Sequence, residues 1–460
     1  MTAERATAGR RCAQAGRGAR AAIREGEVWG RMTVEVRFAR QRAVLRGLFD
    51  RAVDAVSAAA VMPRALAQAR DGRTAIIAIG KAAAPMMRVA IDRVGDPAAA
   101  LLVTRHGHLG DLAFPDTVEI VEAGHPVPDA NSLFAADRAL AIAAELRAQD
   151  RLILLLSGGG SALAAAPVAG VSLEDKQAVT RALLRSGATI GEINCVRKHL
   201  SRIKGGRLAL AAGPALTTTY IISDVPGDDP AFVASGPTVA DDSSLADARA
   251  IVAGYALALP PAVSAALADP GNESPPADAL GLAGCETLVI ARARDALTAA
   301  ASAAAADGLV VTNLGDRLQA EARHLGASHA ALARRLAADG AARAIISGGE
   351  TTVTVVNPNG RGGRNLEYLL GLAIALDGDP RISALACDTD GIDGTEDAAG
   401  AMIFPDTLAR AATVGLDPVA CLAANDAYRF FAALGDLVVT GPTLTNVNDF
   451  RVILIEGGGA

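Results

Sequence analysis

The chain has 460 residues, a net charge of −6, 51% apolar content and only 3% aromatic content. That length predicts two to three domains with ample material for their cores. No stretch approaches the roughly 18 uninterrupted apolar residues of a membrane span. Neither a broad cationic surface nor stacking platforms for single-stranded nucleic acid are present, so membrane and nucleic-acid partners are not expected.

Residues 1–33 are rich in Arg, Ala and Gly and predict a disordered extension outside the function, with Met32 as an alternative start. From about residue 38, apolar and β-branched runs alternate with helical patterns, the signature of an α/β fold with a mainly parallel sheet. Strands are predicted at 74–80, 100–104, 117–123, 151–157 and 218–224. Helices over 82–94, 130–148, 172–188 and 191–209 are long enough to serve as crossovers. Residues 34–278 therefore read as a Rossmann-like three-layer domain. The Pro, Gly, Asn and Ser-rich segment 256–280 predicts a boundary at its end. Residues 279–460 predict a second α/β domain, with strands at 286–292, 308–313, 343–350, 352–358, 382–388, 436–441 and 451–456 and a helix over 315–338. The closeness of 343–350 to 352–358 predicts an antiparallel pair and hence a mixed sheet. The active site is expected in the cleft between the two domains.

Loops at the carboxyl ends of such strands carry function. In IGKAAAPMM, Gly80 and Lys81 lie between a strand and a helix, where a cation opposes the helix dipole unless an anion is present. This is not a Walker loop: Ala75 stands where Gly is needed and Ala82 where Ser or Thr is needed. Four of the 44 Lys and Arg residues are lysines, Lys81, Lys176, Lys198 and Lys204, so a retained lysine marks a need for a compact charge. In LLLSGGGSAL, Ser157, Gly158, Gly159, Gly160 and Ser161 offer a backbone nest for a phosphate or a carboxylate. Leu163 takes the third glycine position of the dinucleotide fingerprint. The helix around INCVRKHLSRIKGG buries Ile193, Val196, Leu200 and Ile203 and presents Asn194, Arg197, Lys198, Ser201 and Lys204 on its other face, a candidate anion site. Asp224, ending a strand in ISDVPGDD, has the placement of a general base, a magnesium ligand or a turn cap.

The second half supplies Glu350 after a strand, Arg364 and Asn365 after a glycine loop, and Asp388, Asp390 and Asp393 in one turn. Acids and arginine at facing strand ends predict a site for magnesium and phosphate, with Glu350, Asp388 and Asp390 as metal ligands. The turn is no EF-hand, because Ala399 takes the place of the closing glutamate. Asn446 sits in a polar loop with Thr443, Thr445, Asn448 and Asp449. Five cysteines, Cys12, Cys195, Cys285, Cys387 and Cys421, are scattered with no C-x-x-C pair, which fits a reduced cytoplasm.

Taken in order, IGKAAAPM, GHPVPD, LLSGGGSAL, INCVRKHLSRIKGGRLA, ISDVPGDDP with ASGPT, LGDRLQAEAR, SGGETTVTV, GRGGRN, DTDGIDG and TGPTLTNVND closely resemble the glycerate kinase family whose C-terminal part is the MOFRL domain. The resemblance runs from about residue 36 to the end. It implies ATP, a divalent cation such as Mg2+, D-glycerate as acceptor and 2-phosphoglycerate as product; a monomer or homodimer is expected. By position it makes Lys81 and Arg364 the cationic pair of the active site; separately, a carboxylate such as Asp224 is expected to accept the acceptor hydroxyl's proton. Three departures stand out: Leu366 where the family usually has Gln, Leu444 where Gly is usual, and Thr395-Glu396 in place of Pro-Thr. Two other readings stay open, a hydroxypyruvate or tartronate reductase using a nicotinamide cofactor and a non-catalytic phospho-acid binding protein.

Overall fold

In the computed structural model, which describes residues 38–458, the apolar runs become two six-stranded sheets. The predicted leader, with Cys12 and Met32, lies outside the described residues. Residues 48–460 form one compact unit that holds both sheets, and the described part of the unit ending at Gly47 is the start of the helix Ala39–Ala55.

The first sheet comprises β1 (Thr74–Ile79), β2 (Ala99–Arg105), β3 (Val118–Ala123), β4 (Arg151–Leu156), β5 (Leu216–Ile222) and β6 (Cys285–Ala291). All its pairings are parallel, in the order β3-β2-β1-β4-β5-β6. Continuous runs such as Ala75–Ile79 and Leu152–Leu156 are buried along their length, as parallel strands covered on both faces require. The order reverses between β1 and β4, and such a switch point opens a crevice at the strand carboxyl ends. The residues that follow those two strands are Gly80-Lys81 and Ser157–Ser161.

The strand at 286–292, expected in the second domain, is β6 and pairs with β5. The boundary expected near 278 therefore falls inside the first sheet. The Pro-rich segment that suggested it folds locally into the helix Pro261–Ala268, whose Val263, Ala266 and Leu267 join a satellite core with the helices Leu173–Ser186, Ile190–His199 and Leu245–Gly254. The single helix expected over 191–209 is two, Ile190–His199 and Arg207–Ala212, parted by Gly205 and Gly206 at positive φ.

The second sheet contains β7 (Val310–Asn313), β8 (Arg343–Gly349), β9 (Ile382–Asp388), β10 (Gly400–Ile403), β11 (Leu437–Val438) and β12 (Asp449–Ile455). Its order is β11-β10-β9-β12-β8-β7. It is mixed, as expected, but for a different reason: β12 enters between β8 and β9 and runs antiparallel to both. Segment 352–358 is not a strand. Only Thr352 bridges, to Glu321, and the Asn425 side chain then satisfies the Val356 N–H at 2.8 Å and the Thr354 carbonyl at 3.2 Å. The helix expected from 315 starts at Ala322, because Leu318 and Glu321 are drawn out alongside Gly349 and Thr352.

The helix Arg364–Leu376 lies against β9 and the helix Ala322–Ala337, and residues 365–373 are all buried. Leu366 sits in this core, which explains an apolar residue there. The helix has no cap of its own at Gly363. The Asp393 carboxylate serves instead, accepting from the N–H of Asn365 at 3.0 Å and of Leu366 at 2.9 Å. Loss of a cap typically costs about 1–2 kcal/mol. Asp393→Ala should lower the urea midpoint accordingly, and an unchanged midpoint would show that the cap is not Asp393.

Candidate active site

The loops after β1 and β4 are stitched together. The Lys81 N–H donates to the Gly158 carbonyl at 2.9 Å, and the Ala82 N–H donates to Ser157 Oγ at 2.9 Å. Ser157 is thus spent on holding the loops and leaves the expected anion nest. Gly80 has φ +140°, and a Cβ there would strike Ser157. A Cβ on Gly158 would collide with the Asp224 carboxylate and the Asn446 amide, so only glycine lets these three chain segments meet.

Around that point the two sheets exchange polar contacts. Lys81 Nζ donates to Asp390 Oδ2 at 2.5 Å. Asn446 Nδ2 donates to Asp224 Oδ2 at 2.8 Å, and Asn448 Nδ2 to the Asp224 carbonyl at 2.9 Å. Arg364 is held by three acids, Glu350 at 2.5 Å, Asp388 at 3.1 Å and Asp449 at 3.3 Å. Asp449 is itself fixed by the buried Arg451 at 2.5 Å and by Asn365 Nδ2 at 2.9 Å. Asn365 is fully buried and works behind Arg364 instead of facing a ligand.

Burial and charge set the protonation states. Burial alone would lower the Lys81 pKa, but Asp390 and Asp388 overcome it and leave the ammonium firmly charged. Asp224, half-buried, is pushed up to about 6 by desolvation despite Lys81. Asp388 is raised well above the usual carboxylate range, first by burial and then by Asp390, while Lys81 keeps Asp390 low against its own burial.

Of the expected metal ligands, Glu350 faces Arg364, and Asp388 and Asp390 face Arg364 and Lys81. Among the described residues no three His, Cys, Asp or Glu side chains converge as a dedicated metal cage. Asp388 and Asp390 remain neighbours, with the Asp390 N–H donating to Asp388 Oδ1 at 3.1 Å. With Asp449 taken by Arg451 and Asn365, four acids, Asp224, Glu350, Asp388 and Asp390, stand about the two cations Lys81 and Arg364.

The expected anion face of the helix Ile190–His199 divides in two. Lys198 is paired with Asp241 at 3.1 Å and is unavailable. Arg197 donates to Ser161 Oγ at 2.9 Å and Lys204 to the same atom at 2.8 Å. Asn194 accepts from Ser235 at 3.3 Å, and Ser235 meets Ser161 at 2.9 Å. The Ser157–Ser161 loop therefore joins two groups, Lys81 with the acids at one end and Arg197 with Lys204 at the other.

Sequence reasoning gave no role to His125 or His108. His125 lies against Gly159, and burial, then Lys81 and Arg105, hold it neutral with a pKa of about 3. Among the described residues its Nδ1 and both nitrogens of His108 are buried without hydrogen-bond partners. GHPVPD was the one signal for His125.

A cavity of about 260 Å³ opens beside these groups. Lys81, Arg364 and Asp388 contribute its polar lining, and Val353, Val355, Ile392 and Gly360 its apolar lining.

Two family models match the chain, a domain of unknown function (DUF4147) over residues 44–268 and the MOFRL family over 343–449. A protein of Agrobacterium vitis that bears the provisional name hydroxypyruvate reductase is 50% identical over 90% of this chain and 94% of its own. The D-glycerate 2-kinase of Thermotoga maritima is 38% identical over 89% of this chain and 97% of its own. The crystal structure of a Thermotoga maritima glycerate kinase superposes with a TM-score of 0.80 at 36% identity, covering 91% of this chain and all of that one.

The crowding at Gly158 has a direct consequence. Gly158→Ala should leave the circular dichroism spectrum intact yet reduce turnover by at least about tenfold, since a displacement near 1 Å in a catalytic constellation costs up to 10²-fold. Wild-type turnover in that variant would mean that Asp224 and Asn446 need not meet there.

Proposed function

The chain belongs to the glycerate 2-kinase family, and we propose that its cleft moves the γ-phosphoryl group of ATP to the 2-hydroxyl of D-glycerate, releasing 2-phosphoglycerate and ADP. The observation that carries this reading is the meeting, at the switch point of a doubly wound sheet, of Lys81 and Arg364 with a half-buried Asp224 whose pKa is about 6.

Phosphoryl transfer asks the protein for positioning and charge neutralisation more than for covalent chemistry. The cavity lined by Lys81, Arg364, Val353 and Val355 receives the nucleotide, its polar end the phosphates and its apolar end the nucleoside. Lys81 and Arg364 exchange carboxylate contacts for phosphoryl oxygens, which gather charge as the bond to the leaving phosphate breaks. Asp224 accepts the proton of the acceptor hydroxyl as its oxygen bonds to phosphorus, while Asn446 holds the carboxylate in place. Asp388 and Asp390 would hold the divalent ion that ATP brings, since such ions take one or two carboxylates together with phosphates. When bound, that ion supplies neutralisation of phosphate charge.

The relative with a reductase name favours the second reading, but the loop does not suit a dinucleotide. Leu163, fully buried, fills the third glycine position, and the helix after the loop is only the four residues Gly160–Leu163. Oxidation of a nicotinamide by hydroxypyruvate, without ADP release from ATP and glycerate, would select the reductase.

We place the reaction in the cytoplasm, in a monomer or homodimer. Cys195, Cys285 and Cys421 are free thiols, and among the described residues no helix is long and apolar enough to cross a membrane.

Removing one transition-state charge contact typically costs 10²–10³-fold in rate. Lys81→Ala and Arg364→Ala should each lose about that much in kcat, in an assay feeding the product to enolase without phosphoglycerate mutase. Signal only with the mutase present would place the phosphate on the 3-hydroxyl. A base must be unprotonated, so activity should fall as pH drops through about 6 and level off above it. Asp224→Asn should abolish that limb together with most of the rate, and retention of the same limb in the variant would remove Asp224 from the role.

A further inference from the structure

At the far end of the glycine loop lies a group of cations with no counter-charge among the described residues. Lys204 is 1% exposed, and its ammonium reaches only neutral oxygens: Ser161 Oγ at 2.8 Å, the Ser161 carbonyl at 2.9 Å and the Ala234 carbonyl at 3.5 Å. Arg197 makes one hydrogen bond, to Ser161 Oγ, and leaves the rest of its donor fork unused. Among the described residues no Asp or Glu pairs with Arg197, Lys204 or the nearby buried Lys176. Lys198, one residue from Arg197, does have its acid, Asp241. Among the described residues the lack of one is thus shared by Arg197, Lys204 and Lys176 and is not general to the basic residues of this stretch.

Burial first, then Arg197 and Lys176, push the Lys204 ammonium well below the ordinary lysine range. An anion placed there would reverse this penalty. The surroundings are built for one. Ser161 and Arg197 are half-buried, so the group opens to the cleft and is not sealed in the core. Ala234 and Ser235 both take left-handed backbone, φ 50° and 62°, an unfavourable choice for non-glycine residues that aims Ser235 at Ser161 and Asn194.

We propose that Arg197 and Lys204, with the hydroxyls of Ser161 and Ser235, form the subsite for the carboxylate of the hydroxy-acid acceptor. This rests on the kinase reading above and decides between the two anions that the loop could hold. The nucleotide phosphates already have Lys81 and Arg364, in the cavity on the second-sheet side. Gly158, beside the Asp224 base, and Ser161 are three residues apart, and the intervening backbone turns into the short helix at Gly160. That separation is on the order of one helical pitch, ~5 Å, the scale of a three-carbon hydroxy acid. A guanidinium fork is the natural partner of a planar carboxylate. The subsite thus makes the enzyme select a 2-hydroxy acid over a neutral polyol.

The test compares D-glycerate with its neutral amide, D-glyceramide, in wild type and Arg197→Met. The expected result is a KM for glycerate raised on the order of 10²-fold, the effect of losing charge-assisted hydrogen bonds, with the KM for ATP unchanged. The preference for glycerate over glyceramide in kcat/KM should fall by the same factor, whereas a merely structural lesion would depress both acceptors alike. Arg197→Lys, which keeps the charge and loses the fork, should lie between, and it guards against a variant that misfolds. A raised KM for ATP, or an unchanged acid-to-amide preference, overturns the assignment. Calorimetric titration of glycerate separates failure of this subsite from failure of the kinase reading. Heat with wild type and none with Arg197→Met supports the subsite even if no phosphate is transferred, and equal heat with both rejects it.

Discussion

The pairing of Lys81 with Asp390 ties the loop after β1 in one sheet to the turn after β9 in the other. Both partners are largely withdrawn from water, with side chains 14% and 2% exposed. Removing one member of such a pair strands the other and costs roughly 3–5 kcal/mol, so each sheet fixes the charge presented by the other. Gly158, Asp224 and Asn446 meet beside this pair, and the crowding leaves no room for a side chain on the glycine. The reactive groups therefore hold one another in place before any substrate arrives. On the proposed reading, phosphate binding is an exchange of partners that avoids exposing a bare cation.

The acids of the site are alike in type and divided by their contacts. Asp393 is consumed by the backbone N–H groups of the helix Arg364–Leu376, and Asp449 by Arg451, Arg364 and Asn365. These two position Arg364. Asp224, Asp388 and Asp390 keep atoms turned toward the place where phosphate charge would gather, and burial separates their proton affinities. The same division holds among the cations, where Lys198 is matched by Asp241 and Arg197 has no acid among the described residues.

Much of this was legible in the sequence because backbone approach leaves a mark on residue choice. Gly80 and Gly158 stand where a Cβ cannot fit, and the buried runs of β1 and β4 announce a covered parallel sheet. What escaped depends on partners distant in the chain. Nothing local in 286–292 tells which sheet it joins, and Lys198 and Lys204 share a helical face until Asp241 claims one of them. Segment 352–358 has the composition of a strand, but Asn425, more than sixty residues away, takes its hydrogen bonds. Leu444, an oddity in the sequence, proves to be left-handed at φ 61°, a conformation costing about 1–2 kcal/mol outside glycine. The preference for glycine there has that plain backbone cause.

The position of β12 carries a consequence for how the protein comes into being. It is the latest strand in chain order, yet it lies between β8 and β9 and brings Asp449, the anchor of Arg364. During synthesis the parallel sheet has all six of its strands long before β12 leaves the ribosome. β8 and β9 must wait with facing edges unpaired, and exposed strand edges invite association with other chains. The nascent protein thus presents a finished half holding Lys81 and an open half that cannot yet hold Arg364. The anchoring of Arg364 is therefore completed only when β12 enters between β8 and β9.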